Sequence, residues 1–322
     1  MKRPGLILIY LLLVPSMLLN AQETLYGPGY QTVMLSNPAF AGAEGAAKLR
    51  ISYLNFYPGK NFGFNTFYLS YDSFFPSLHG GAAAYVSNDN LGGIMNDLKG
   101  GIAYSYHFQA FKDVYINAGL SASFYRRGFN GSDLVFPDQI DPLGGIVNPT
   151  SQQLDLKPRT VFDAGAGFLV LAGRFITGFS VRHLTAPDLS EGTVTDEKLS
   201  REAVLHASAL FQAGKNGSID LRPMLYGDFR HSGYIIGGGC SAGTGIFSVS
   251  GILLVNRAGD IDLSAGLSLS KGAVSFFYNY CFNLSSGNNL LPTSLYHNAG
   301  MVISLNNVEK RKTFKTIIFP KC

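Results

Sequence analysis

Tryptophan is absent from this 322-residue chain, and charged residues make up only 14% of it. Soluble domains carry about 25% charged residues, so the chain has little charge for an ordinary soluble surface. Yet beyond the N-terminus no apolar run approaches the roughly 18 residues that a membrane-spanning helix needs. The composition therefore excludes a bundle of membrane helices and disfavours a typical soluble domain.

Motifs for chemistry are scarce as well. The 3 cysteines show no CxxC or other metal-ligand spacing, no pair among the 6 histidines has such spacing, and no Gly-x-Ser-x-Gly elbow occurs. The run 133–141 lacks the alternating Asp/Asn ligands and the turn glycine of an EF-hand loop. The net charge is only +4 and no basic stripe runs through the body of the chain, so nucleic acid is not an expected partner. We expect a protein that is not an enzyme and holds neither metal nor cofactor.

What is present is alternation, most clearly over residues 260–284. Apolar side chains occupy every second position on both sides of Lys271-Gly272, and Ser, Gly and Asn fill most positions between them. A period of two places the two sets on opposite faces of a β-hairpin. The polar face carries small residues rather than the Lys, Glu and Arg of an open surface, which suits a confined wet interior. The apolar face then looks toward lipid, as in a transmembrane β-barrel.

The same alternation recurs along the chain and predicts an all-β fold, a transmembrane antiparallel up-and-down barrel of about 14 strands. The connections after odd-numbered strands include the long ones, such as 128–158 and 184–202, whereas those after even-numbered strands are all short. A barrel with short periplasmic turns and longer outer loops has this asymmetry, so we expect both termini in the periplasm. The predicted strands are 48–57, 62–72, 79–88, 98–108, 113–127, 159–170, 173–183, 203–213, 218–229, 232–242, 246–255, 260–270, 273–284 and 295–305.

Three segments flank the predicted barrel of residues 48–305. Residues 1–21 have a basic start, a short apolar run and a small final residue, as in a secretory signal peptide. Residues 22–47 are rich in Gly, Pro and Asn, and their prolines prevent a long strand, so they form a periplasmic lead-in or a plug folded into the lumen. Residues 306–322 form a basic tail that is either solvated or docks on an acidic periplasmic protein or the barrel mouth.

Several stretches resemble the PorP/SprF family of outer-membrane proteins associated with type IX secretion and gliding motility. The resemblance spans nearly the whole mature chain, and Asn37-Pro38-Ala39-Phe40-Ala41-Gly42 is its most specific element. Two departures stand out: Arg50 is not followed by the family's Arg-x-Gln-Trp-like element, and the His-Glu pair near the last strand is His297-Asn298 here. The other stretches that carry the likeness are Asn20–Gln22, Val86–Gly92, Leu134–Pro142 and Ile176–Leu184.

The resemblance implies a non-catalytic barrel in the bacterial outer membrane, surrounded by its lipid. Such a barrel connects periplasmic ring components of the secretion machinery to the membrane, or helps a secreted client protein, an adhesin or enzyme, to reach and stay on the cell surface. The loops 128–158 and 184–202 are then expected to touch the client, and residues 37–42 with the basic tail to face periplasmic partners. The partner-contact candidates are Asn37, Pro38, Phe40, Gly42, Asp138, Asp141, Lys310, Arg311 and Lys312.

The alternative is an outer-membrane channel for a small solute, like the fatty-acid channels of similar strand count that carry an N-terminal hatch. Loss of a surface protein or of gliding on gene deletion would favour the secretion role, whereas loss of growth on one nutrient would favour the channel.

Overall fold

A computed structural model describes residues 32–59, 63–131, 134–141, 143–151, 157–189, 198–214, 217–285 and 294–305. The predicted signal peptide, residues 22–31 and the basic tail 306–322 lie outside the described residues. No helix within the described ranges is long and apolar enough to cross a membrane.

The chain forms a closed antiparallel barrel of 14 strands, as the alternation predicted. Each strand pairs with its neighbours in the chain, and the last pairs with the first from Lys48↔Ser304 to Phe56↔Tyr296. β8 is interrupted at Leu210 but keeps one partner strand on both sides of the break. The strands are β1 (Lys48–Phe56), β2 (Asn65–Phe75), β3 (Gly80–Leu91), β4 (Met95–Phe111), β5 (Val114–Phe129), β6 (Arg159–Ala172), β7 (Phe175–Arg182), β8 (Glu202–Ala209 with Phe211–Ala213), β9 (Ile219–Arg230), β10 (Gly233–Gly243), β11 (Phe247–Asn256), β12 (Ile261–Lys271), β13 (Val274–Asn283) and β14 (Ser294–Ser304).

The apolar face of each strand looks outward and the small polar face looks inward. In the hairpin of β12 and β13, Leu269 and Phe276 are 53% and 58% exposed, whereas Ser268 is fully buried and Asn279 nearly so. This is the opposite of a soluble sandwich, whose apolar face is buried. The outer belt therefore suits contact with lipid, as expected from the sequence.

The two rims of the barrel differ in their connections. Turns of two to five residues join the strands at one rim, as at 112–113 and 173–174, and the start of β1 meets the end of β14 there. The opposite rim carries the long connections 130–158 and 183–201. The connection after β3 is shorter than predicted, only 92–94, because β3 and β4 continue as a paired hairpin beyond the predicted strand ends.

Among the described residues, short helices occur at four places. One is α1 (Val33–Ser36), followed directly by a 3-10 turn, Pro38–Phe40; two further 3-10 turns are Pro76–Leu78 and Pro137–Gln139. The first two belong to residues 32–47, which precede β1. These residues lie against the inward faces of the strands, and we call them the lumen segment.

Candidate functional site

The lumen segment supplies much of the largest apolar cluster in the described chain. Val33, Ala39, Phe40 and Ala41 are between 0% and 4% exposed. They pack on small or apolar inward residues of β3, β4 and β6, namely Ala83, Ala103, Leu169 and Leu171. The segment and these four residues form a local core, and a smaller apolar cluster elsewhere in the wall joins Met224, Ile252 and Leu254.

Side chains of the wall hold the segment mainly by donating hydrogen bonds to the segment's backbone carbonyls. Arg182 Nη1 donates to the oxygen of Leu35 at 2.7 Å, and Ser180 Oγ donates to that of Ser36 at 2.6 Å. Ser105 Oγ donates to the oxygen of Ala39 at 3.1 Å. Buried carbonyls without a partner are costly, so these donors make an irregular segment tolerable inside the barrel.

One further donor, His107, and one acceptor, Asp72, extend this pattern toward the short-turn rim. His107 Nε2 lies 3.1 Å from the oxygen of Ala41, which requires the proton to be on that nitrogen. Asp72 accepts from the backbone N–H of Gly42 at 3.0 Å. The wall thus follows the segment's main chain from residue 35 to residue 42.

The side chain of Asn37 forms hydrogen bonds both within the segment and with the barrel wall. Its Oδ1 accepts from the N–H of Ala39 at 2.9 Å and caps the 3-10 turn, while Pro38 occupies the first turn position, where no N–H is needed. Its Nδ2 donates to the strand carbonyls of Phe168 and Phe179 at 3.2 and 3.3 Å. One amide group therefore shapes the turn and joins it to β6 and β7.

His206 on β8 contacts both specific side chains of the segment. Its ring stacks on Phe40 with centroids 4.9 Å apart, and its Nε2 lies 3.4 Å from Asn37 Nδ2. The amide nitrogen of Asn37 can only donate, so Nε2 of His206 accepts in this contact. The imidazole is then neutral, with its proton on Nδ1. The asparagine and the phenylalanine of the motif share one aromatic partner.

Inward glycines open the space in which the segment lies. A Cβ on Gly119 would come within 2.3 Å of Ala39 N, one on Gly81 within 2.1 Å of Ala41 O, and one on Gly167 within 2.2 Å of Asn37 Oδ1. Gly42 itself has φ +65 and would place a Cβ 2.6 Å from Gly81 Cα. Glycine is required here both for close approach and for the left-handed backbone.

A buried ion network fixes the end of the segment next to β1. Arg50 contacts both Asp72 of β2 and Glu44 of the segment, and Glu44 also pairs with Lys48 at 3.2 Å. Asp72 and Arg50 are almost fully buried. Because unpaired buried charges are costly, these contacts depend on one another.

A small cavity of about 40 Å³ lies on the long-loop side of the segment. Met34 and Leu35 line one side, and Leu199 of the long connection 183–201 lines another, where it packs with Leu189 on Tyr125. The inward charges there are paired, as in Lys99 with Asp89 at 2.8 Å. The cavity is therefore bounded by the segment and the loop at its two ends.

The long connection 130–158 contains a small ordered hairpin. Its strands Ile140–Asp141 and Gly145–Ile146 pair antiparallel. Asp138 accepts from the N–H of Ser151 at 2.7 Å and from neighbouring hydroxyls, and this amide first of all holds the pKa of Asp138 below its usual value. Asp141 accepts from the N–H groups of residues 143 and 144, which lower its pKa in the same way.

The predicted partner-contact residues fall into three groups. Asn37, Pro38, Phe40 and Gly42 are buried against the inward faces of the strands. Asp138 and Asp141 lie in the hairpin of the connection 130–158, where their carboxylates accept hydrogen bonds within the loop. The tail lysines and arginine are outside the described residues. Partner contact by any of the nine stays a prediction.

Other residues of the site are not distinguished by the sequence alone. They are Gly81, Gly119, Gly167 and His206. A signal existed in the glycines, which interrupt inward positions of three strands, but only strand pairing brings them together. Within the described ranges no group of His, Cys, Asp or Glu is arranged to hold a metal ion.

A closed barrel with an apolar belt and a polar interior defines the class of outer-membrane β-barrel proteins. The TodX deltaS2S3 mutant, a monoaromatic hydrocarbon channel, is similar with a TM-score of 0.51 and 12% identity, over 86% of this chain and 94% of that one. CymD, also a monoaromatic hydrocarbon channel, has a TM-score of 0.50 and 11% identity, over 88% and 95%. Omp33 of Acinetobacter baumannii has a TM-score of 0.47 and 8% identity, over 82% and 99%. At such identities the likeness to the two channels shows the fold alone.

The family follows from the sequence itself. The family described as type IX secretion system membrane protein PorP/SprF matches residues 19–229, and the chain belongs to it. No curated relative matched significantly. The matched range contains the lumen segment and all the strands that hold it.

Proposed function

We propose that the protein is a non-catalytic barrel of the type IX secretion system. It links the periplasmic secretion or gliding machinery to the outer membrane and supports export or surface attachment of a cognate secreted protein. The observation that carries this is the family match over residues 19–229, a range that includes the lumen segment.

The rim with the short turns is proposed to face the periplasm. The start of β1 and the end of β14 meet there, so the basic tail begins at this rim. The outer-membrane barrels of bacteria have short periplasmic turns and longer outer loops, which supports this orientation. The tail is then placed to dock on acidic periplasmic partners.

The ordered hairpin at the other rim is the proposed client contact. Leu143 is fully exposed, and Ile146 and Val147 are 63% and 61% exposed. Asp138 and Asp141 fold the loop so that these apolar side chains stay on its surface. Clustered exposed apolar residues at a rim are typical of a protein-binding surface.

Replacing Leu143 and Val147 by serine tests this role. We expect less client in the medium or on the cell surface, with unchanged amounts of folded barrel in outer membranes. The control is Ile94→Ser, which alters an apolar residue exposed at the same rim but outside the hairpin. Normal export by the hairpin variant, or an equal defect in the control, would contradict the assignment of the client contact.

The alternative role is a channel for a small solute, since TodX and CymD share the fold and are hydrocarbon channels. The lumen segment argues against steady flow, because it fills the interior next to β2–β8. We therefore expect purified protein in planar bilayers to show little conductance, and gene deletion to leave growth on single nutrients unchanged. A large steady conductance would favour the channel.

A further inference from the structure

The wall contacts the lumen segment as a receptor contacts a bound peptide. Donors on β4 and β7 approach the carbonyls of Leu35, Ser36, Ala39 and Ala41, and the segment pairs with no strand along its length. Recognition of main-chain groups gives affinity without demanding a particular side chain at each position.

Specificity in this site comes from two side chains. Asn37 has amide contacts with β6 and β7, and Phe40 stacks on His206 of β8. The positions beside them are occupied by Pro38, which fits the turn, and by Ala39, which lies against Gly119. The contacts of the wall therefore favour the sequence Asn-Pro-x-Phe, in which x is a small residue.

The third feature of the site is the space that glycines leave in the wall. Gly81, Gly119 and Gly167 leave a recess in which backbone atoms of the segment sit where a Cβ would otherwise lie. Glycine in a strand can mark a site where another backbone approaches closely, and at these three strands the backbone is that of the segment.

We propose that this recess on β3–β8 is a peptide-binding site that the chain fills with its own residues 35–41. A peptide with the Asn-Pro-x-Phe pattern, carried by another polypeptide and folded in the same turn, occupies the same site when the internal copy is released. The proposal concerns ligand binding alone and stands or falls independently of the role in export.

A labelled synthetic peptide of residues 32–42 tests the proposal by fluorescence anisotropy with the full chain in detergent. In the wild type the internal copy competes with the labelled peptide for the recess. The apparent affinity for the peptide is therefore reduced in proportion to the fraction of empty sites. The double variant Asn37→Ala and Phe40→Ala weakens the internal copy but leaves the wall intact. We expect it to bind the peptide at least about tenfold more tightly than the wild type does.

Two controls make the result specific. A peptide with both positions replaced by alanine is expected to bind the double variant at least about tenfold more weakly. Adding Gly119→Val to the double variant fills the recess and is expected to abolish binding. If the double variant does not fold, as judged by circular dichroism, Asn37→Ser alone is the milder variant in the same assay.

The proposal is overturned if a folded variant with a weakened internal copy binds the two peptides equally or not at all. It is also overturned if Gly119→Val leaves binding unchanged. Equal affinity of the wild type and the double variant would show that the internal copy does not occupy the site.

Discussion

Two walls of the barrel interior differ in what their side chains contact. The binding wall, β2–β8, carries directional groups such as Asp72, Ser105 and Arg182 that bond to the lumen segment. The serine wall, β10–β13, is lined largely by Ser, Gly and Asn, whose hydroxyls bond to each other, as Ser248 does to Ser268 at 2.7 Å. One wall is built around the lumen segment, whereas the other provides a mostly polar lining with a few buried apolar side chains, such as Ile252 and Leu254.

This difference shows that inward polarity alone does not define the interior of a barrel. Both walls alternate in the same way and present equally apolar outer faces, yet only one combines donors, a histidine and recessed glycines. The family match ends at residue 229, within β9, so it covers the lumen segment and the binding wall but not the serine wall. We therefore expect substitutions to affect the two walls unequally.

The largest effect is expected from Asp72→Ala. This change leaves Arg50 buried next to Glu44 alone and frees the N–H of Gly42, and loss of one partner of a buried pair costs about 3–5 kcal/mol. Urea titration in lipid vesicles measures the free energy of unfolding. If the free energy of unfolding falls by less than about 1 kcal/mol, Asp72 does not pair with buried Arg50 as described.

A pair of glycine substitutions compares a tight site with an open one. Gly119→Ala is expected to destabilise the protein by about 1–3 kcal/mol, because the new Cβ overlaps the segment's backbone. Gly251→Ala on the outer face meets no atom within 4 Å and is expected to be neutral or slightly stabilising. Equal effects of the two substitutions in the same titration would contradict the close approach of the segment to β5.

Asn37→Ala tests the cap of the turn. Loss of the cap is expected to cost about 0.5–2 kcal/mol, with the added loss of the amide contacts to β6 and β7. Hydrogen exchange of the N–H groups of residues 39–42 is expected to speed up while that of the strands stays slow. Unchanged protection at residues 39–42 would show that Asn37 does not hold the turn.

Ser268→Ala probes the serine wall. It removes one partner of a neutral hydroxyl pair and is expected to cost about 0.5–1.5 kcal/mol. Exchange within residues 32–47 is expected to match the wild type, because no bond between the serine wall and the segment is involved. Faster exchange in the segment would remove the distinction between the walls.

The smallest effect concerns the exposed hairpin. Its Asp138 and Asp141 have lowered pKa values, so the stabilisation that they give is present above the usual carboxyl pKa and is lost as the pH falls through the folded value. Protease cleavage within residues 134–151 is expected to speed up at that acidic pH while the barrel stays intact. Asp138→Asn should remove most of this pH dependence, and cleavage that is equally pH-dependent in the variant would contradict it.

The sequence carried most of the fold because alternation is a local signal. Strand ends were predicted within one to three residues, as for β12 at 260–270 against Ile261–Lys271. Alternation fails where strands continue beyond the membrane, since β3 and β4 then pair over polar residues that resemble a loop. The predicted connection 88–97 is therefore mostly strand in the structure.

The site was much less accessible from the sequence. Residues 37–42 stood out as a motif, but their place depends on glycines that are 39 to 130 residues away in the chain and come close to the motif only when β3 to β6 form one sheet. Periodicity sets which face a side chain occupies and does not determine what fills the space beyond that face. The two aspartates of the hairpin, Asp138 and Asp141, were predicted to contact a partner. In the structure their carboxylates accept hydrogen bonds within the loop.

The most direct test of the account is the accessibility of Ala39, which is fully buried. In a chain with its native cysteines replaced by serine, Ala39→Cys is treated with a water-soluble maleimide in folded and in urea-unfolded protein, with Leu143→Cys as the exposed reference. We expect residue 143 to react within seconds in both states and residue 39 to react at that rate only after unfolding. Rapid labelling of residue 39 in the folded barrel would show that the segment does not lie in the lumen.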